Sequence, residues 1–451
     1  MSQRWNDRRG AGSALVALLA MALGAGPAED FYPVGHRAEG LPDPARGVRA
    51  YAADPASPLN ELFRLIFVGD RIPKEVGAAL PGERAVEGTD DTAFFDKAWY
   101  FRKRPGVETD RATFGGDVRI SPVEELTPQQ SERLIALLGL LENAEKLDAF
   151  PELRPAVARL MLQWDLLNVW SRFEKSGKVG PEVLVPLAKA VAACGQPADV
   201  LSTLPDGLAD LHALFPGGKP SDRHAPYLPA NLLTNDPASP WVEVDRKSST
   251  LFHGASTFRS ARLFLNAGSV EKGRALVEAS RKVGKEVPLP EVQVGTEAAL
   301  VLAIVGLTPD LVPVATPVVD ELRVRTLATA EGTEPGKDTS SRDGINFWTY
   351  FRRRPAAAAD PDHAAFRFVP DSAQSLFLEY GTAKRTTFAA QCVLCHRTTN
   401  AGGQAPAGLR SLSRYANPRI VTRPDARFRQ AEAEIVPAVD KLKARLGSPR
   451  S

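Results

Sequence analysis

The sequence predicts an α+β protein, predominantly α-helical, with a helical N-terminal domain, a mixed middle region and a helical C-terminal segment. Three observations carry this expectation. Between Thr127 and Cys194 apolar residues recur at helical spacing, punctuated by capping and breaking signals. Between Trp241 and Leu327 short Val- and Leu-rich runs of strand character alternate with one helical stretch. From Pro424 to Leu446 a basic amphipathic pattern returns. With 451 residues, 43% hydrophobic and 24% charged, the chain can build two or three domains with real cores.

The first 28 residues read as an export signal. Arg4, Arg8 and Arg9 form a positive start, and Ala11 to Gly24 is an apolar run too short to span a membrane comfortably. Gly26-Pro27-Ala28 then supplies small residues before Glu29. The expected location is periplasmic or secreted, with an uncleaved anchor as the alternative. No later run of 18 apolar residues occurs, so no membrane span is expected in the mature chain.

Residues 29–58 are rich in Pro, Ala and Gly and predict an extended, loosely held entry. A mainly helical domain is expected over 59–235. Its first apolar element, Leu62 to Val68, is of uncertain type. Thr127 is placed to cap a helix with Pro128 in its first turn. Pro155 to Phe173 predicts a long helix whose Met161, Trp164 and Trp170 belong to a core, and Gly180-Pro181-Glu182 opens a third that ends at Gly195. Cys194, in an Ala- and Val-rich stretch, reads as a small core residue. Seven prolines between Gly195 and Ser239 mark a domain boundary.

A mixed α/β region is expected over 236–371. Trp241 to Asp245 and Arg262 to Leu265 have strand character, and Ser269 caps a helix running to Val283. Val292 to Val305 is too apolar and Ala-rich to assign, and part of Leu311 to Leu327 is expected to be strand. In the last segment, 372–451, Ser372 to His396 and Pro424 to Leu446 predict helices, with Pro437 a possible kink in the second.

One hexapeptide occurs twice. Tyr100-Phe101-Arg102-Lys103-Arg104-Pro105 returns as Tyr350-Phe351-Arg352-Arg353-Arg354-Pro355, each after a nearby tryptophan, Trp99 or Trp348. Two copies 250 residues apart exclude a solenoid. They fit two halves of a duplication, two arginine clusters facing one ligand, or, as the favoured expectation, two strand ends with solvated arginines.

The chemistry-bearing stretch is Cys392-Val393-Leu394-Cys395-His396. Only 3 Cys and 6 His occur in the chain, so their meeting in C-x-x-C-H is a specific signal. The motif resembles the haem-attachment site of c-type cytochromes, a likeness confined to these residues and their flanks. The resemblance implies one covalent haem c, with Cys392 and Cys395 as thioether carriers and His396 as the proximal iron ligand. Competing readings are a redox-active or structural disulfide and half a zinc site. The only other thiol, Cys194, leaves a four-thiolate zinc site impossible.

The opposite face of the iron decides what such a protein does. The 55 residues after His396 contain neither Met nor His, which excludes the familiar downstream methionine ligand. His363, 33 residues upstream, is the first candidate for the distal position, followed by His253, His36, His212 and His224; a distant Met161 is the remaining thioether. An open site would permit peroxide or gas chemistry instead. From Lys384 onward 13 Lys and Arg face 4 Asp and Glu, a local excess of 13 − 4 = 9 positive charges. That excess suits haem propionates and solvation, or an acidic redox partner; no nucleic-acid partner is expected. The expected function is one-electron transfer by an exported mono-haem protein. The alternatives are a five-coordinate haem enzyme or sensor and a non-haem interaction protein with a disulfide.

Overall fold

The computed structural model describes residues 50–54, 56–68, 85–87, 99–102, 111–114, 126–215, 226–233, 238–245, 258–281, 293–327, 345–355, 365–369, 374–375, 419–420 and 425–447. Its architecture is mixed α and β. Helices α1 (Pro58–Phe63), α2 (Pro128–Gly139), α3 (Ala144–Asp148), α4 (Ala156–Ser176), α5 (Pro181–Ala193), α6 (Ala198–Ser202) and α7 (Leu208–Leu214) precede the main sheet; α8 (Val270–Arg281) interrupts it and α9 (Asp425–Gly447) follows it.

Strands β1 (Ala85–Glu87), β2 (Trp99–Arg102) and β3 (Arg111–Phe114) form an antiparallel meander, which β10 (Gln374–Ser375) joins in parallel beside β3. The larger sheet holds β4 (Trp241–Asp245), β5 (Arg259–Asn266), β6 (Glu297–Leu307), β7 (Pro313–Leu327), β8 (Ile345–Arg352), β9 (Phe366–Val369) and β11 (Arg419–Ile420). Its spatial order is β11-β4-β5-β6-β7-β8-β9, antiparallel throughout. The chain therefore leaves this sheet at one edge, after Val369, and returns at the opposite edge at Arg419.

The helices form where local chemistry favours them. Thr127 and Gln130 close a reciprocal capping box at α2, satisfying two backbone donors that the first turn leaves open. Gly177, at φ 64°, ends α4 in the left-handed conformation that glycine adopts without a Cβ penalty. Pro437 lies inside α9, and Ala431, Ile435, Val439 and Leu442 line its buried side at near-helical spacing.

One core joins the two halves of the chain across the proline-rich interval 195–239. Leu160, Leu166 and Val191 of α4 and α5 pack with Ile304 and Leu307 of β6, Val318 of β7 and Ile435 of α9. At this contact Gly306 has no room for a side chain, because a Cβ there would lie 2.7 Å from the Leu160 side chain. A second cluster lies where Leu211, Tyr227, Leu228 and Leu232 cover Val301, Leu322, Trp348 and Tyr350 of the sheet. A third seats Leu276 and Val277 of α8 on Val242, Val244 and Leu265.

Several expectations change here. Val292 to Val305, unassignable by pattern, is largely the central strand β6, whose residues are buried on both faces and so show no alternation. The helix expected from Ser372 does not include Gln374–Ser375, which pair with Thr113 and Phe114 as a short strand. The expected loose entry is fastened at its end. Ala50, Tyr51 and Ala52 are buried, and Asn60 accepts from the Tyr51 and Ala52 amides and donates to the Ala52 and Asp54 carbonyls. Among the described residues no helix is long and apolar enough to cross a membrane.

Candidate functional site

The most concentrated chemistry among the described residues is a buried polar junction between α4, the end of β8 and the segment before α1. Asp165 lies on α4 among Met161, Leu162, Leu166 and Val169, so its carboxylate is carried into the core. Arg354, two residues past β8, meets it with Nε 2.8 Å from Oδ2 and Nη2 2.6 Å from Oδ1. This is the two-pronged geometry that suits a planar guanidinium to a carboxylate. The Tyr51 hydroxyl donates to the same Asp165 Oδ2. All three side-chain owners are 2% exposed or less.

Aromatic faces and a second ionic group surround this junction. The Arg354 guanidinium carbon lies 5.4 Å from the Trp164 ring centre and 5.5 Å from that of Phe63. Arg259 approaches Trp164 at 4.7 Å and pairs with Asp320 at 2.5 Å, while Glu321 pairs with Arg323 and, at 3.4 Å, with Arg259. Burial raises the Asp165 carboxyl, against the pull of Arg354; burial opposes the Arg354 charge, but Asp165 holds it above the usual arginine range. Burial, then the Asp165 charge, raises the Tyr51 phenol well above its ordinary value. The charges neutralise one another away from water, so this group joins layers rather than presenting a reactive face.

These contacts correct the expectation for the repeated hexapeptide. Its second copy does lie at a strand end, but its arginines are not solvated: Arg352, Arg353 and Arg354 are 7%, 5% and 2% exposed. Arg352 donates to the Val319 carbonyl at 2.5 Å and the Asp206 carbonyl at 2.7 Å while lying over Phe366, and burial lowers its pKa to about 10. In the first copy Trp99–Arg102 is strand β2, and Lys103 to Pro105 lie outside the described residues. Both copies place Tyr-Phe-Arg as the last three residues of the middle strand of an antiparallel meander.

A second polar node caps the sheet. Glu297, at the start of β6, accepts from the Tyr227 hydroxyl at 2.6 Å, Asn266 Nδ2 at 2.9 Å and the Thr326 hydroxyl at 3.4 Å. Burial raises its carboxyl above the usual range, against these three donors. Tyr227 also anchors by its carbonyl, which accepts from the Tyr350 hydroxyl at 2.6 Å.

The residues singled out for haem chemistry, Cys392, Cys395, His396 and His363, lie outside the described residues, as do His36, His224 and His253. The other candidates do have places. Met161 is 1% exposed within the helical core. His212 Nε2 lies 3.3 Å from the Leu232 carbonyl. Cys194 is a free, fully buried thiol that burial pushes up to about 12. Among the described residues no group of three or more His, Cys, Asp or Glu is placed to hold a metal ion.

Sequence reasoning missed Tyr51, Asp165, Arg259, Asp320, Glu321 and Glu297. Three of these carried a signal. Asp165 is a lone acid in an apolar helical stretch, and Asp320-Glu321 interrupt the run Val318-Val319 before Leu322. An acid at a core position must find a partner. Comparison with known proteins adds no relative: no family model, curated protein or solved structure matches the chain.

Proposed function

We propose that this is an exported c-type cytochrome-like protein of the bacterial periplasm that carries one electron at a time through a single covalent haem. The observation that carries the proposal is Cys392-Val393-Leu394-Cys395-His396 in a chain with only 3 cysteines, behind an N-terminal export pattern. Cys392 and Cys395 carry the haem, His396 binds the iron from one side and His363 from the other. The motif belongs to the segment 372–451, which follows a mixed region and, before that, a mainly helical domain. Two further facts support this assignment. The third thiol, Cys194, is free and sealed in the core. Met161, the competing thioether, is itself a core residue. The excess of basic residues after Lys384 suits an acidic redox partner protein.

Counting thiols and haem on the mature protein, from a host competent in haem attachment, tests this proposal. Thioether carriers predict a red protein with a haem adduct mass and one titratable thiol after unfolding, with or without reductant. A colourless protein that shows all 3 thiols only after reduction is the disulfide-bearing alternative and overturns the assignment. A low-spin spectrum that turns high-spin in His363→Ala supports His363 as the distal ligand. A wild-type spectrum already high-spin at neutral pH, altered at once by carbon monoxide or peroxide, assigns the five-coordinate enzyme or sensor instead.

A further inference from the structure

We propose that residues 226–233 form a strap whose seating on the main sheet is set by the protonation of Glu297: tight when Glu297 is neutral, loosened as it ionises. The strap is attached at three polar points. The Tyr227 hydroxyl donates to Glu297 at 2.6 Å, its carbonyl accepts from Tyr350 at 2.6 Å, and the Leu232 carbonyl lies 3.3 Å from His212 on α7. Beneath it lie Trp348 and Tyr350, both fully buried, with the Tyr227 ring centre 4.9 Å from that of Trp348. Leu233 closes the strap at φ 61°, a conformation that L side chains rarely adopt. Lifting the strap uncovers an aromatic face of the sheet.

Glu297 is suited to control this because its hydrogen-bonding partners bring no positive charge. It is 7% exposed, and the groups bonded to it are a phenol, an amide and a hydroxyl from the strap, β5 and β7. On the same face Glu243 of β4, opposite Phe264 and two residues along from the level of Asn266, is already paired with Arg262 of β5 at 2.8 Å. Arg325, next to Thr326, stands on the opposite face by strand alternation. His212 touches the far end of the strap, and its Nε2 can donate to Leu232 whether the ring is neutral or charged. A buried carboxylate without a cation is costly, and the neutral acid is not. The carboxyl's upward displacement by burial has the same sign. A group raised in the seated state favours seating below its ordinary pKa and withdraws that support as pH rises through the raised value.

Hydrogen exchange of the full-length protein, corrected for intrinsic exchange and followed from about pH 4 to about pH 8, tests the strap. Protection of the 228–233 amides is expected to fall several-fold with rising pH, while that of the β6 amides stays constant. Glu297→Gln, which keeps shape and cannot ionise, is expected to hold the strap at its acid-pH protection throughout. Tyr227→Phe, which keeps the ring on Trp348 and deletes the hydroxyl, is expected to lower strap protection and to steepen its fall with rising pH, because the buried carboxylate then loses a donor. A flat or inverted wild-type profile, or one retained unchanged in either variant, overturns the proposal. The outcome does not depend on the haem assignment.

Discussion

Arg354 grips Asp165 across 189 residues of sequence, and both prongs of its guanidinium engage both carboxylate oxygens inside a core that water does not reach. The contact joins the end of β8 to the middle of α4, and Tyr51 brings in the segment before α1. Removing one partner strands the other charge, so Arg354→Ala and Asp165→Ala are each expected to cost about 3–5 kcal/mol. The double variant is expected to cost less than the sum of the two. Arg354→Lys keeps the charge but loses the fork, and is expected to fall between wild type and Arg354→Ala. Urea unfolding midpoints measure all four; additive single and double costs would mean that the pair is not coupled.

Gln163 performs a similar service without charge. Its Nε2 donates to the Val191 carbonyl at 3.1 Å and the Leu307 carbonyl at 2.9 Å, and its Oε1 accepts from the Leu307 amide at 2.8 Å. One amide therefore ties α4 to α5 and to the end of β6. Gln163→Ala takes this partner from the Leu307 amide and the Val191 carbonyl, at about 1–3 kcal/mol for each that finds no other, while the Leu307 carbonyl keeps the Gln196 amide. Thermal unfolding is expected to show a large loss. Gln163→Glu is expected to be worse than its shape suggests, because it replaces a donor with a second acceptor facing two carbonyls.

Glycine 195 is fixed by a close approach. A Cβ there would lie 2.6 Å from the Pro309 nitrogen and from the Thr308 carbonyl carbon, backbone atoms that cannot swing aside. The contact brings the residue after the Cys194 cap against the turn that follows β6, where the Gln196 amide donates to the Leu307 carbonyl at 3.4 Å. Gly195→Ala is expected to destabilise the protein despite replacing glycine just beyond a helix, and Gly139→Ala, in open space on α2, to be neutral or stabilising. Comparing their melting temperatures checks the pair of outcomes.

The elements legible in the sequence are those whose signals are local. Thr127 and Pro128 announce α2 because a cap is satisfied within three residues, Ser269 likewise marks α8, and in β4 burial alternates from Trp241 to Val244. Strand β6 was illegible because burial on both faces erases the period, whereas β7 was expected in part, from a Val-rich run that Pro313 and Pro317 interrupt. The arginines of the hexapeptide were misread for a different reason. Whether an arginine after a strand is solvated depends on a carboxylate elsewhere, and Asp165 lies nearly 200 residues away. The carboxylate node at Glu297 depends on Tyr227, Asn266 and Thr326, which no short window contains.

Alkaline pH separates the buried thiol from the buried phenols. Cys194 ionises at an ordinary value of 9.0 when exposed, and burial raises it to about 12 in the fold. The unfolded chain therefore releases this proton first, and the stability that the neutral thiol contributes is complete below 9.0 and lost as pH rises towards 12. One proton gives a slope of about 1.4 kcal/mol per pH unit. Tyr51, Tyr227 and Tyr350 are raised by burial from an ordinary 10.0, with the same sign but a later onset. Between 9.0 and 10.0 the thiol thus leads. Cys194→Ala is expected to be less stable at neutral pH through the space it leaves, yet to lose stability more slowly across that interval. Unfolding free energies at several alkaline pH values measure the slope; equal slopes in wild type and variant would show that Cys194 carries no such linkage.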